Sequence, residues 1–220
     1  MAREEARYRW FVRNAIEVVN ALRGINYALY KFRRSVEHVS VDLDVLVERM
    51  GMPRVVKALC LHWFRVVVAE PYTVTYSCSE RGGFIDLYTK PSFAWIVYMD
   101  ENRLLRDYSE DMEIRGVRVR ALAREAEITV VATHAIYKEH LVLLIDCLTL
   151  WNWSSRNLPN VAKDLGVIGV PKTLSHVCEL VRRDFLETPP RIPLHLLIQA
   201  YVEKVAYDNI FRATLLNTIK

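Results

Sequence analysis

The sequence predicts an α+β fold, a mixed sheet with helices against it followed by a helical part. The front of the chain mixes helical spacing with β-branched apolar runs, and the back keeps helical spacing to its end. The composition of the 220 residues, 52% hydrophobic and 25% charged with 7 Gly and 8 Pro, is that of a chain that buries a core. At this length about 70% of the unfolded chain's surface can be buried.

Residues 4–22 repeat apolar positions at Tyr8, Phe11, Val12, Ile16, Val19 and Leu22, an amphipathic helix that stops at Gly24. INYALYKF (25–32) and HVSVDLDVLVE (38–48) read as strands, and MPRVVKALCLHW (52–63), with Pro53 near its start, as a helix. FRVVVAE, YTVTYSC and GFIDLYTK are further strands, separated by Pro71 and the turn-forming SERGG. A polar stretch, DENRLLRDYSEDME, and a short strand, EIRGVRVRAL, lead into helices broken at Pro159, Gly166, Gly169 to Pro171 and ETPPRIP. From Pro193 the chain reads as one long amphipathic helix, docked on the bundle or paired with another subunit. The division expected is an α/β domain over 1–120 and a helical domain over 121–220.

The net charge of +4 permits a polyanionic ligand without requiring one, and the basic clusters lack the continuity of a nucleic-acid surface. Cys60, Cys78, Cys147 and Cys178 stand singly, without a CxxC pair, so buried reduced thiols are expected rather than a zinc site. The charged start MAREEARYRW lacks a signal-peptide run, and the longest apolar helical run, LVLLIDCLTLW, is interrupted by Asp146. A cytoplasmic protein away from the membrane is expected. GxxxxGK[ST], GxSxG and HExxH are all absent from the sequence.

The chemistry-bearing stretch is SVDLDVLVERM, residues 40–50. On a strand, residues two apart share a face, so Asp42 and Asp44 project together, opposite Val41, Leu43, Val45 and Val47. Two adjacent carboxylates repel and are costly to bury unless a cation lies between them. A divalent metal such as Mg²⁺, which takes one or two carboxylates, waters and phosphate oxygens, resolves that conflict. Asp86, between Ile85 and Leu87 in GGFIDLYTK, supplies a third acid. The alternative is that Asp42 and Asp44 lie at the exposed end of an edge strand and that Asp86 pairs with an arginine.

The order helix, strand with a loop, VDLDVLV, helix, strands and GGFIDLYT resembles the nucleotidyltransferase fold of the DNA polymerase β type. The likeness is greatest to uncharacterised bacterial and archaeal nucleotidyltransferases whose strand reads D-hydrophobic-D-hydrophobic-hydrophobic-V. The segment MEIRGVRVRALAREAEITVVATHAIYKEHLVLLIDCLTLWNW is similar to theirs, in which a strand precedes a His-bearing helix and then an Asp-bearing one. The resemblance covers about residues 10–185 and implies a nucleotidyltransferase-like mixed sheet followed by a helical C-terminal subdomain.

It further implies transfer of a nucleoside monophosphate from a nucleoside triphosphate to an acceptor hydroxyl on a small molecule, a protein or an RNA. Asp42 and Asp44 would be the pair that binds Mg²⁺ or Mn²⁺, and Asp86 the third catalytic carboxylate. Such relatives carry Gly-Gly or Gly-Ser before the DxD strand, whereas YKFRRSVEHVS has no glycine. Lys31, Arg33, Arg34 and Ser35 offer side chains for phosphate in its place, or form an ordinary basic turn. His134 and Lys138, i and i+4 on a helix, are further candidates for phosphate or base contact, the alternative being an interior histidine and a lysine paired with a carboxylate such as Asp146. The competing function is a catalytically inactive module of the same fold that binds nucleotide or a protein partner.

Overall fold

The computed structural model describes residues 2–61, 64–78, 83–93, 96–184 and 190–218. Two units divide the chain: residues 1–33, 37–91 and 101–123 form the first, and residues 34–36, 92–100 and 124–220 the second.

The first unit begins with α1 (Ala2–Ala21), followed by β1 (Tyr27–Leu29), β2 (Asp42–Val47), α2 (Met52–Leu61), β3 (Phe64–Ala69), β4 (Thr73–Cys78) and β5 (Phe84–Tyr88). The ribbon β6 (Ser92–Phe93) and β7 (Ile96–Val97) belongs to the second unit; α3 (Glu101–Asp107), β8 (Ser109–Ile114) and β9 (Val117–Leu122) return to the first. The polar stretch after residue 100 thus holds a helix, with Leu104 and Leu105 buried, and a full strand. Its charges mask two short elements that each bury little.

Seven strands form one sheet in the order β3-β4-β5-β2-β1-β9-β8. The neighbours β2 and β5 run parallel, as do β1 and β9, and the other adjacent pairs are antiparallel. Leu43, Val45 and Val47 of β2 and Ile85 and Leu87 of β5 pack in one core with Phe11, Ala15, Val18, Val19 and Leu22 of the first helical segment and Val55 and Leu59 of α2. Alternation then sends Asp42, Asp44 and Asp86 to the opposite face. Positive φ is required at the β8–β9 turn and before β5. Arg115 and Gly116, at φ 47° and 80°, make the two-residue turn between β8 and β9, whose left-handed residues match the twist of the strands. Gly83, at φ 87°, precedes β5 beneath Trp10, whose ring would lie 2.1 Å from any Cβ placed there.

In the second unit α4 (Arg124–His134) is buried continuously from Ala126 to Thr133 and is followed by a π turn, Ala135–Glu139. The hydroxyls of Thr129 and Thr133 donate to carbonyls four residues back, at 2.7 and 2.6 Å, which lets polar residues lie inside a helical core. Around it stand α5 (Leu144–Trp153), α6 (Leu158–Asp164) and α7 (Val170–Asp184), then α8 (Leu194–Tyr207) and α9 (Asn209–Thr218). The single helix expected after Pro193 is broken at Asp208, which adopts φ −118°. Its carboxylate accepts the Phe211 N–H at 2.9 Å, capping α9, and pairs with the buried Lys204 ammonium at 2.6 Å.

Cys147 and Cys178 form a disulfide between α5 and α7, where reduced thiols were expected. Each cysteine stands alone in its helix, so only the packing of the two helices reveals the pair. A link with a sequence separation of 31 is worth about 3–4 kcal/mol by loop closure. Urea unfolding with and without reductant is therefore expected to differ by about that amount, and alkylation should reach these two thiols only after reduction.

The thiols of Cys60 and Cys78, residues 62–63 of the expected second helix, residues 79–82 of the SERGG turn and residues 187–189 of ETPPRIP lie outside the described residues or side chains. Among the described residues no helix is long and apolar enough to cross a membrane.

Candidate active site: a carboxylate triad on adjoining strands

The parallel register of β2 and β5 sets Asp44 directly beside Asp86, and Asp42 lies two residues earlier on the same face. One carboxylate oxygen from each of the three lies within 4.8 Å of the others. The edge-strand alternative fails, because β2 has β5 on one side and β1 on the other.

Each acid is held by its own donor. The Ser40 hydroxyl donates to Asp42 Oδ1 at 3.1 Å, and the Thr75 hydroxyl on β4 donates to Asp86 Oδ1 at 2.6 Å. Lys31 Nζ lies 2.9 Å from Asp44 Oδ1, with both side chains almost fully buried. The ammonium also stands over the rings of Tyr30 and Tyr88, at 5.7 and 5.6 Å from their centroids. Burial pushes the Asp44 carboxyl up to about 6; the charges of Asp42 and Asp86 push the same way, and Lys31 opposes them. Three convergent oxygen donors with excess negative charge fit a hard divalent cation such as Mg²⁺ or Mn²⁺.

Lys31 adopts φ 53°, a left-handed conformation that costs a side-chain-bearing residue roughly 1 kcal/mol. The glycine-free loop thus contains a glycine-like backbone, taken by a lysine whose side chain is anchored on Asp44.

The other residues singled out in the sequence are placed as follows. Arg33 donates through Nη1 to the Leu122 carbonyl at 2.9 Å and pairs with Glu110, which ties its loop to β8 and β9. Arg34, Ser35, His134 and Lys138 belong to the second unit. Arg34 Nη2 lies 3.7 Å from Asp146 Oδ1, and its Nε and Nη1 are buried with no hydrogen-bond partner among the described residues. Asp146 is therefore the partner of Arg34, and its Oδ2 also caps α5 by accepting the Leu143 N–H at 3.0 Å. Ser35 Oγ accepts from Asn152 at 3.1 Å. His134 Nε2 lies 3.2 Å from Glu139 Oε1, and Lys138 is half-buried in the π turn.

Ser40 and Thr75 were missed in the sequence. Ser40 was within reach of a sequence reading, standing two residues before Asp42 in the segment read as a strand. Thr75 was not, because its place beside Asp86 depends on the register of β4 on β5. Thr75→Val is expected to weaken Mn²⁺ binding about tenfold or more, with Thr75→Ser recovering most of it, by calorimetric titration.

No family model matches the chain, and no curated protein matches it in sequence. Among solved structures, the antibiotic-resistance factor ANT(2'')-Ia, determined in solution, aligns with a TM-score of 0.50 at 12% identity, over 79% of this chain and 96% of that one. The chain shares the fold of this factor. A crystal structure of ANT(2'')-Ia in complex with adenylyl-2''-tobramycin aligns with a TM-score of 0.42 at 12% identity, over 80% and 98% of the two chains. The lincosamide antibiotic adenylyltransferase LnuA, lincomycin-bound, aligns at 0.40 and 14%, over 60% and 87%. In this fold the triad lies at the centre of the sheet, on β2 and β5.

Proposed function

We propose that the chain is a divalent-metal-dependent nucleotidyltransferase that moves a nucleoside monophosphate from a nucleoside triphosphate to an acceptor hydroxyl. The observation that carries this reading is the convergence of Asp42, Asp44 and Asp86 within 4.8 Å of one another on a sheet of that fold. When bound, Mg²⁺ or Mn²⁺ supplies charge neutralisation for the phosphates and for the attacking and leaving oxygens.

Asp42, Asp44 and Asp86 would hold the ion, with Ser40, Lys31 and Thr75 orienting them. Asp86, fixed by Thr75, accepts the proton of the acceptor hydroxyl as its oxygen bonds to the α-phosphorus. The bond from that phosphorus to the oxygen bridging to the β-phosphate breaks, and pyrophosphate leaves with the electron pair. Phosphate contacts from Lys31, Arg33, Arg34, Ser35, His134 and Lys138 rest on the chemistry of those side chains, and Lys31 and Arg33 already hold carboxylates.

The acceptor is to be sought among small hydroxyl compounds and among protein and RNA acceptors. The test is thermal unfolding with Mg²⁺ and each nucleoside triphosphate, followed by pyrophosphate release with candidate acceptors. A ligand that binds only the folded state raises the midpoint. No shift with any nucleotide, together with an unchanged melt in the Asp42→Ala/Asp44→Ala variant, refutes the enzyme reading. The glycine-free loop, with Lys31 clamped on Asp44, favours one second reading, an inactive module that binds nucleotide or a protein partner. Nucleotide-dependent stabilisation without pyrophosphate release from any acceptor supports that module.

A further inference from the structure

The two edges of the seven-stranded sheet differ in kind. At one edge β8 reads SEDMEI, and Glu110, Asp111 and Glu113 guard it against another strand by charge. At the other edge β3 exposes every residue from Arg65 to Glu70, with Val66, Val67 and Val68 each about half accessible. The segment from Phe64 to Glu70 contains neither proline nor lysine, and its row of outward backbone groups is a template for pairing. Scattered exposed valines need no explanation, but three in succession at a sheet edge do.

The charges flanking the valines indicate what pairs there. Arg65 and Glu70 form no ion pair or side-chain hydrogen bond among the described residues. A bulge at Val67 sets their spacing: Val66 faces Tyr76 and Val68 faces Thr75, consecutive residues of β4, so Val67 adds no step to the ladder. Counted along the ladder, Val68 has Val66 and then Arg65 on one side, and Ala69 and then Glu70 on the other. Two antiparallel strands of one sheet are related by a twofold axis perpendicular to it, and alternation of hydrogen-bonded and non-bonded pairs then requires one ladder position to face its own copy. Without the bulge no residue stands midway between Arg65 and Glu70; with it, Val68 does.

We infer that β3 is the self-association edge of this protein, where a second copy pairs antiparallel about Val68 so that the two sheets join into one. Arg65 then faces the partner's Glu70, Val66 faces the partner's Ala69, and each contact occurs twice. A bulge that ordinarily blunts an edge here makes its charge pattern self-complementary. One pair of short strands buries less than the roughly 1,200 Å² of a standard stable interface, so the dimer dissociates on dilution.

Sedimentation velocity over a concentration series tests this. The wild type is expected to shift from monomer to dimer as concentration rises. Arg65→Glu and Glu70→Arg, each placing like charges together at both ends, are expected to raise the dimer dissociation constant about tenfold or more. The double variant Arg65→Glu/Glu70→Arg recreates both pairs and is expected to return to within about threefold of the wild type. Both sites are exposed, and circular dichroism melts confirm that each variant is folded. A wild type that stays monomeric up to about 1 mM, where even a weak dimer forms, overturns the inference. So does a dimer indifferent to either single change, or a double variant no tighter than the singles.

Discussion

Asp86→Asn is expected to leave a folded protein that still binds nucleoside triphosphate but releases pyrophosphate about 10³-fold more slowly, since it loses both the proton acceptor and one anionic ligand. The amide is nearly isosteric and still accepts the Thr75 hydroxyl through its carbonyl oxygen, so the strand register that positions the site is retained. Single-turnover kinetics over a series of pH values and Mg²⁺ concentrations separate the two losses. A deficit that raising the pH partly offsets belongs to the proton acceptor, and one that raising the metal concentration offsets belongs to the ligand. A variant as fast as the wild type refutes the assignment of Asp86.

Metal-free protein is expected to lose about 2 kcal/mol of stability between pH 4 and pH 7 through Asp44 alone. The sign follows from the direction of the shift. Burial and two neighbouring carboxylates raise the folded pKa from 3.8 to about 6, so between those values the native state binds the proton more tightly than the unfolded chain. The contribution is complete below the unfolded value near 3.8 and is lost as pH rises through about 6. Urea unfolding against pH in chelator, compared with Asp44→Asn, isolates it, because the amide does not titrate whatever it does to absolute stability. Mg²⁺ is expected to restore stability above pH 6 more than below, where it competes with the proton. Equal slopes in wild type and variant contradict this account.

How far the site was legible in the sequence depends on distance along the chain. Asp42 and Asp44 were legible because two acids interrupt a run that is otherwise apolar, and alternation alone puts them on one face. Asp86 could be nominated by its apolar neighbours, but its place beside Asp44 is a fact of register between strands forty residues apart. The front of the sheet announced itself through β-branched runs, whereas α3 and β8 lay hidden in a charged stretch. Cys147 meeting Cys178 is a product of helix packing and Arg34 meeting Asp146 of a loop reaching a distant helix, and no local pattern encodes either. The break at Asp208 was hidden for another reason. Apolar spacing continues across it, and a single side chain that caps the next helix ends the previous one.

The ion pair between Lys31 and Asp44 bears on the order of events in the life of the molecule. Three clustered acids would ordinarily make folding wait for a metal, as many small metalloproteins must. Here the chain brings its own counterion from ten or so residues upstream, on a backbone already bent to deliver it. Under the proposed function, folding is thereby expected to precede metal binding, in a metal-poor surrounding as in a metal-rich one.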